Sequence, residues 1–391
     1  MIPAFSLGAP SRIVFGSGKF VKLEDTLLSF GSRPLLVLGS ASFTRTKGFT
    51  TLHEIFDKLA IATKTIHVSS EPSPEMIDTV VADQQYTDID MVISIGGGST
   101  LDAGKAIAAM LVEGGGVSRF LEGVGTKAPS GKKLPFIAIP TTSGTGSETT
   151  SNAVLRSVGS GGFKRSLRHD NYFPNLALVD PLLTLSCPKK LTIACSMDCF
   201  TQLVEGYLST GGSPLTDALA LEGIRAVSGS LRTVADTGDD LASRSNLSYG
   251  ALLSGIVLAN AGLGVVHGFA SAIGGLFAIP HGTICGSLMA PANRLTLKNL
   301  RSTAPSHPAL DKYAILGRIF SNQTSRNDPW YQDHFIAELE GLSAHLALPF
   351  LSDYGVTPND TEKIAAQTGN KNNPAKLSTK ELVQVLHRRI R

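Results

Sequence analysis

Residues 91–109 read Met-Val-Ile-Ser-Ile-Gly-Gly-Gly-Ser-Thr-Leu-Asp-Ala-Gly-Lys-Ala-Ile-Ala-Ala, and no other stretch limits the possible folds as strongly. The apolar, β-branched run Met91 to Ile95 predicts a strand buried on both faces, as in a parallel sheet. Gly96, Gly97 and Gly98 then permit a tight, positive-φ turn and a close backbone approach. Ser99 or Thr100 is placed to cap a following helix, whose Ala103, Gly104 and Ala106 are small enough to pack closely on the sheet. The free N–H groups and positive dipole end at such a junction suit a phosphate. The glycines fit neither G-x-G-x-x-G nor the Walker pattern, so taken alone the run is equally a plain structural turn.

A second junction resolves that choice. Leu134 to Pro140 is another apolar strand, and it leads into Thr141-Thr142-Ser143-Gly144-Thr145-Gly146-Ser147-Glu148-Thr149. Two turns of this kind at the carboxyl ends of strands predict a cleft for a long, multiply phosphorylated cofactor.

The Gly96–Lys105 pattern (Gly-Gly-Gly-Ser-x-x-Asp-x-x-Lys) and Pro140–Glu148 (Pro-Thr-Thr-Ser-Gly-Thr-Gly-Ser-Glu) resemble the iron-dependent (group III) alcohol dehydrogenase family, within the dehydroquinate synthase-like superfamily. The likeness runs from Pro10–Gly18 to Asn373–Pro374. It implies an α/β dinucleotide-binding domain with a parallel sheet over residues 1–185 and an all-helical metal and substrate domain over 186–391. It also implies NAD(P), a divalent metal (Fe2+ or Zn2+), a small alcohol or aldehyde substrate, and a homodimer.

Composition agrees with this reading and excludes others. At 391 residues the chain is long enough for two domains with real cores. A net charge of +3, with no basic cluster interleaved with aromatics, gives no support for nucleic-acid or membrane-surface binding. The four cysteines (Cys187, Cys195, Cys199, Cys285) form no C-x-x-C pair, and Met1 to Phe15 shows no signal-peptide pattern. A reduced, cytoplasmic setting is expected. Leu258 to Pro291 is apolar enough to suggest a membrane span, but it carries His267, Pro280 and His281 and is read as buried helices around a site.

Strands and helices alternate through the first half: strands end at Phe15, Leu38, Val68 and Ile95, with helices over 22–30, 49–59 and 74–83. From Leu191 onward nearly every periodic segment reads as helix. The strand Leu35–Leu38 should face the adenosine ribose, where many relatives carry Asp. Gly39 and Ser40 stand there instead, a small neutral pair that leaves room for a 2′-phosphate and favours NADP. By the resemblance, Gly96–Ser99 hold the pyrophosphate, and Thr141, Thr142, Thr145 and Ser147 surround the remaining cofactor groups. Asp102 and Lys105 order the cleft. Lys164 either neutralises the pyrophosphate or is simply solvated.

The metal constellation lies in the second half. Asp198 and Gln202 are four apart on a helix and share a face. His267 and His281 each sit in a Gly-rich, apolar setting. Buried Asp and His are costly unless paired or ligated, and one shared divalent ion would satisfy all three. The family's set is one Asp and three His. Asp198, His267 and His281 match three of these, and Gln202 replaces the fourth, so weak ligation, a second-layer position or water at Gln202 all remain open. Ser271 stands where the family often has another His, which makes it a candidate proton relay. Phe200, Phe269 and Leu276 suggest a small, mostly apolar aldehyde. Two alternatives remain: a reductase of a charged or activated carbonyl (maleylacetate or phosphono-aldehyde type), and a cofactor-binding relative without catalysis.

Overall fold

The computed structural model describes residues 4–8, 11–39, 42–159 and 162–391. Its strands are β1 (Arg12–Phe15), β2 (Pro34–Leu38), β3 (Lys64–His67), β4 (Met91–Gly96), β5 (Phe136–Pro140), β6 (Asn152–Ser157), β7 (Phe163–Arg168) and β8 (Leu176–Val179). Six of them form one sheet in the order β1-β8-β5-β4-β2-β3, every pair parallel. The predicted α/β half is therefore present.

Alternation along the strands separates two cores. Leu36 and Leu38 of β2 pack with Met91, Ile93 and Ile95 of β4 on one face. Leu35, Val37 and Val92 pack on the other, against Ala103, Ala106 and Ile107 of the helix that follows β4. Burial on both faces is why these strands read as continuous apolar runs. The flanking helices are α1 (Leu23–Thr26), α2 (Lys47–Lys58), α3 (Pro74–Ala82) and α4 (Gly98–Glu113). The single helix expected over 22–30 is instead a series of short turns around α1. The antiparallel hairpin β6–β7 was not anticipated either, because its strands mix buried Ala153 and Leu155 with charged, half-buried positions.

The remainder is helical: α5 (Lys189–Leu208), α6 (Pro214–Asp236), α7 (Leu241–Ala261), α8 (Val265–Leu276), α9 (His281–Thr303), α10 (Ala309–Ile319), α11 (Asp328–His345), α12 (Thr361–Gln367) and α13 (Thr379–His387). Among the described residues no strand follows β8. The local signals are ordinary ones, as at α6, where Ser213 and Thr216 cap each other's backbone and Pro214 occupies the first turn. No single described helix is long and apolar enough to cross a membrane, and α7 and α8 meet at a 96° bend. Beyond the bend, α8 packs against α9 and the β6–β7 hairpin.

The sheet's chain order reverses between β2 and β4. Gly39, at the end of β2, donates its N–H to Ile95 O at 3.1 Å, so the carboxyl ends of the two strands lie side by side. This is the crevice where doubly wound sheets bind nucleotides. The turn after β5 closes over it and meets α7: Gly146 sits at φ +64°, and a Cβ there would run into the backbone of Gly255. Gly146→Ala combines left-handed strain with that backbone collision, and should cost more than about 2 kcal/mol. Thermal unfolding checks this; an unchanged melting temperature would show that the two halves do not meet so closely.

Candidate active site

Three helices bring the expected metal ligands together. Asp198 and Glu205 lie on α5, His267 lies in the first turn of α8, and His281 is the first residue of α9. Gly282 makes the convergence possible, since a Cβ there would strike Ala194 O of α5. His267 Nε2 lies 3.3 Å from Asp198 Oδ1, and His281 Nε2 lies 3.6 Å from the same oxygen. Cys285, one turn beyond His281, places Sγ 3.7 Å from His267 Nε2 and 3.8 Å from His281 Nε2. The four ligand atoms all fall within 4.8 Å of one another.

Glu205 holds this cluster from behind. Its Oε1 accepts from Val266 N at 2.6 Å, and its Oε2 faces His267 Nδ1 at 2.7 Å. One carboxylate thus caps the N-terminus of α8 and fixes the His267 ring with Nε2 toward Asp198.

The electrostatics follow from burial and proximity. Burial alone would raise the Asp198 carboxyl, but His281, His267 and Cys285 outweigh it and hold it at about 2. Burial disfavours a charged His267, yet Cys285, Asp198 and Glu205 keep its imidazole well above the ordinary value. At His281 burial dominates, and with Lys164 nearby the imidazole falls to about 3. His281 Nδ1 is buried with no hydrogen-bond partner. A carboxylate kept ionised beside two imidazoles suits a divalent cation, so the residues present fit the metal that the sequence implies.

The expected phosphate cleft adjoins this cluster. Helix α4 is capped by Gly97, and its first turn presents backbone N–H groups at the carboxyl end of β4. Ser99 and Thr100 lie inside the helix rather than capping it, and none of Gly96, Gly97 and Gly98 has positive φ. Crowding explains these glycines: a Cβ on Gly96 would meet the Thr100 side chain, one on Gly97 would lie 3.3 Å from Thr142 Oγ1, and one on Gly98 would meet Thr145. The two turns therefore touch. Gly144 in turn rests on Cys195 of α5, three residues before Asp198.

Beneath them lies a buried polar network. Lys105 Nζ donates to Ser147 O (2.8 Å), Ser147 Oγ (3.0 Å), Thr150 Oγ1 (2.9 Å) and Asn152 O (2.8 Å). Ser147 Oγ donates to Asp102 Oδ1 at 2.6 Å, and Asp102 Oδ2 accepts from Val154 N at 3.1 Å. Burial pulls the Lys105 ammonium down to about 8 and pushes Asp102 up.

Residues 10–181 match the model of iron-containing alcohol dehydrogenases, and residues 192–390 match that of the family's C-terminal region. The chain belongs to the iron-containing alcohol dehydrogenase family. It is 36% identical over 282 residues to long-chain-alcohol dehydrogenase 1 of Geobacillus thermodenitrificans, covering 70% of each chain. It is 27% identical over 391 residues to the NAD-dependent methanol dehydrogenase of Bacillus methanolicus, covering 96% of this chain and 97% of that one. The alcohol dehydrogenase from Oenococcus oeni superposes with a TM-score of 0.89 at 28% identity, over 99% of this chain and all of the other. The activity of this chain is that of an alcohol dehydrogenase, an oxidoreductase acting between alcohol and aldehyde.

Within this family member, the expected residues fall into distinct groups. Asp198, His267 and His281 converge, and Gly39, Gly96–Ser99, Thr142 and Thr145 gather at the switch of the sheet. Thr141 joins them by donating its N–H to Gly96 O. Ser147, expected at the cofactor, instead turns its hydroxyl into the Asp102–Lys105 network. Lys164 pairs with Glu71 at 2.9 Å. Gln202 Oε1 accepts from Ser254 Oγ at 3.0 Å, tying α5 to α7. Ser271 Oγ donates to His267 O at 2.8 Å, a bond that any relay through Ser271 must first break. Phe200 and Phe269, expected at the substrate, are buried in two separate helical cores. Ser40 lies outside the described residues. Sequence reasoning missed Glu205 and Cys285. Glu205 lies seven residues after Asp198, on the same helical face, which was the available signal for it.

Glu205→Ala should lower metal affinity by about 10–100-fold, the usual effect of removing an imidazole's outer partner. Competition against a chromophoric chelator measures this; unchanged affinity would show that Glu205 does not orient His267.

Proposed function

We propose that this enzyme interconverts a small primary alcohol and its aldehyde with NAD(P), using a divalent metal held by Asp198, His267 and His281. The observation that carries this reading is the convergence of one carboxylate and two imidazoles, through Cys195 and Gly144, on the two phosphate-binding turns. When bound, the metal lends Lewis acidity to the substrate oxygen and the nicotinamide carries the hydride.

The chain's own residues supply position and charge. Gly96–Ser99 and the start of α4 receive the pyrophosphate, with no Cβ to block its approach. Thr141, Thr142 and Thr145 rim the opposite side. Asp102, Lys105 and Ser147 fix both turns from below, so the dinucleotide meets a preformed surface. Glu205 keeps His267 in the tautomer that presents Nε2 to the ion. Gly39 and Ser40 carry no carboxylate to repel a 2′-phosphate, which supports NADP, although the Bacillus methanolicus relative is named as NAD-dependent.

One observation favours a charged carbonyl as the substrate. Lys371 and Arg168 line a cavity of about 520 Å³, and Lys371 stands within electrostatic reach of Glu205 and Cys285. A substrate carboxylate or phosphonate reaching that cavity would meet the Lys371 ammonium, while the Arg168 guanidinium is paired with Glu122 at 2.7 Å.

Purified enzyme assayed with NADP and a series of alkanols should turn over, lose activity in chelator and recover with added metal. Full turnover by protein shown to be metal-free would contradict the reading. Ser40→Asp should lower kcat/KM for NADPH more than for NADH; an equal effect on both would remove Ser40 from cofactor selection. Aldehydes bearing a terminal carboxylate should be compared with alkanals in wild type and Lys371→Met. A preference for the acids that disappears in the variant would select the charged substrate.

A further inference from the structure

We propose that the Cys285 thiolate is the fourth protein ligand of the metal, in place of the imidazole that Gln202 does not supply, and that the site is consequently built for zinc. This rests on the proposed metal-dependent function.

The geometry favours sulfur. Zinc bonds of about 2.0–2.1 Å to nitrogen or oxygen and about 2.3 Å to sulfur place tetrahedral ligand atoms roughly 3.3–3.6 Å apart. The separations here are 3.3 Å for His267–Asp198, 3.6 Å for His281–Asp198, 3.7 Å for Cys285–His267 and 3.8 Å for Cys285–His281. Four of the six separations therefore lie at 3.3–3.8 Å and all six within 4.8 Å, so a modest contraction brings these atoms around one ion, where the substrate oxygen would join as a fifth ligand. Cys285 and His281 are four residues apart on α9, so both project from one face of a single rigid helix. Cys285 is wholly buried, with no solvent competing for its sulfur.

Gln202 is differently placed. Its carbonyl oxygen accepts from Ser254 Oγ, and that hydroxyl also reaches the carbonyls of Ala251 and Gly144. A glutamine held in this way joins α5 to α7 and to the cofactor turn, and its oxygen is a weak donor beside a thiolate.

Ligation forms one metal–sulfur bond, and the thiol proton leaves to solvent. Carboxylate and thiolate together cancel the charge of a divalent ion, whereas one carboxylate with three imidazoles leaves a net positive charge. Soft sulfur with two imidazoles selects zinc over ferrous iron. The expected consequences are retention of zinc in air and a milder Lewis acid than a three-histidine site.

The test uses the intact enzyme. Protein produced with equal zinc and iron is analysed for metal, then stripped and titrated with cobalt(II) and with zinc. The expected result is one zinc per chain, and a cobalt form with an intense near-ultraviolet thiolate-to-metal charge-transfer band. In Cys285→Ser that band should vanish, and zinc affinity should fall by more than about 100-fold, beyond the loss from an outer-layer change. In Cys285→Ser/Gln202→His, affinity should recover without the band. Cobalt bound without the band in wild type would overturn the thiolate ligand and leave the metal-dependent function standing. A wild type that binds neither zinc nor cobalt would overturn both.

Discussion

The histidine cluster depends on the Glu205 carboxylate, which ties the start of α8 to α5. One oxygen accepts the N–H of Val266 at the start of α8, and the other fixes the ring of His267. The helix start needs an acceptor because its first N–H groups have no intrahelical partner, and the ring needs one to set its tautomer. Gly264 leaves the space for this, since a Cβ there would lie 2.8 Å from Glu205 Oε1. The backbone path of α8 and the chemistry of its histidine are thus set by one side chain on α5. Asp198, two turns earlier on that helix, receives the histidine's other nitrogen.

The second constraint is close backbone approach. Gly146 against Gly255, Gly282 against Ala194 and Gly98 against Thr145 each remove a Cβ at a point where two elements must touch. Together they bring the helical half, with its carboxylate and imidazoles, up to the ends of β4 and β5. Beneath these contacts, Lys105 with four acceptors and Asp102 with two donors form a satisfied buried network. Such networks hold their parts in one arrangement, because any displacement strands a buried charge. A cofactor cleft between two halves needs that rigidity.

Much of this was legible in the sequence, where a local pattern carried the information. The strand–glycine–helix run named β4 and α4, and four-residue spacing placed Asp198 and Gln202 on one face. What was lost depended on partners distant in sequence. Gly96, Gly97 and Gly98 were expected to permit a positive-φ turn, but side chains of Thr100, Thr142 and Thr145 account for them, and two of those threonines come from the turn after β5. Cys285 escaped the sequence reading because nothing local marks His281 as the first residue of α9. A helix begun at His281 puts Cys285 on the histidine's face by the same rule that joined Asp198 to Gln202. Phe200 and Phe269 looked like pocket residues because aromatic side chains read alike in a core and in a cavity. The β6–β7 hairpin carries half-buried charged residues among its apolar ones, which blurs the alternation that marks a strand.

The claim on which this account turns is that three separate helices were brought together to hold one metal ion. An anomalous-scattering map from crystals of the enzyme grown with zinc or iron tests it most directly. The account predicts one strong peak bonded to the Asp198 carboxylate and to Nε2 of both His267 and His281. A map with no peak there, or with the ion bound elsewhere, would contradict it.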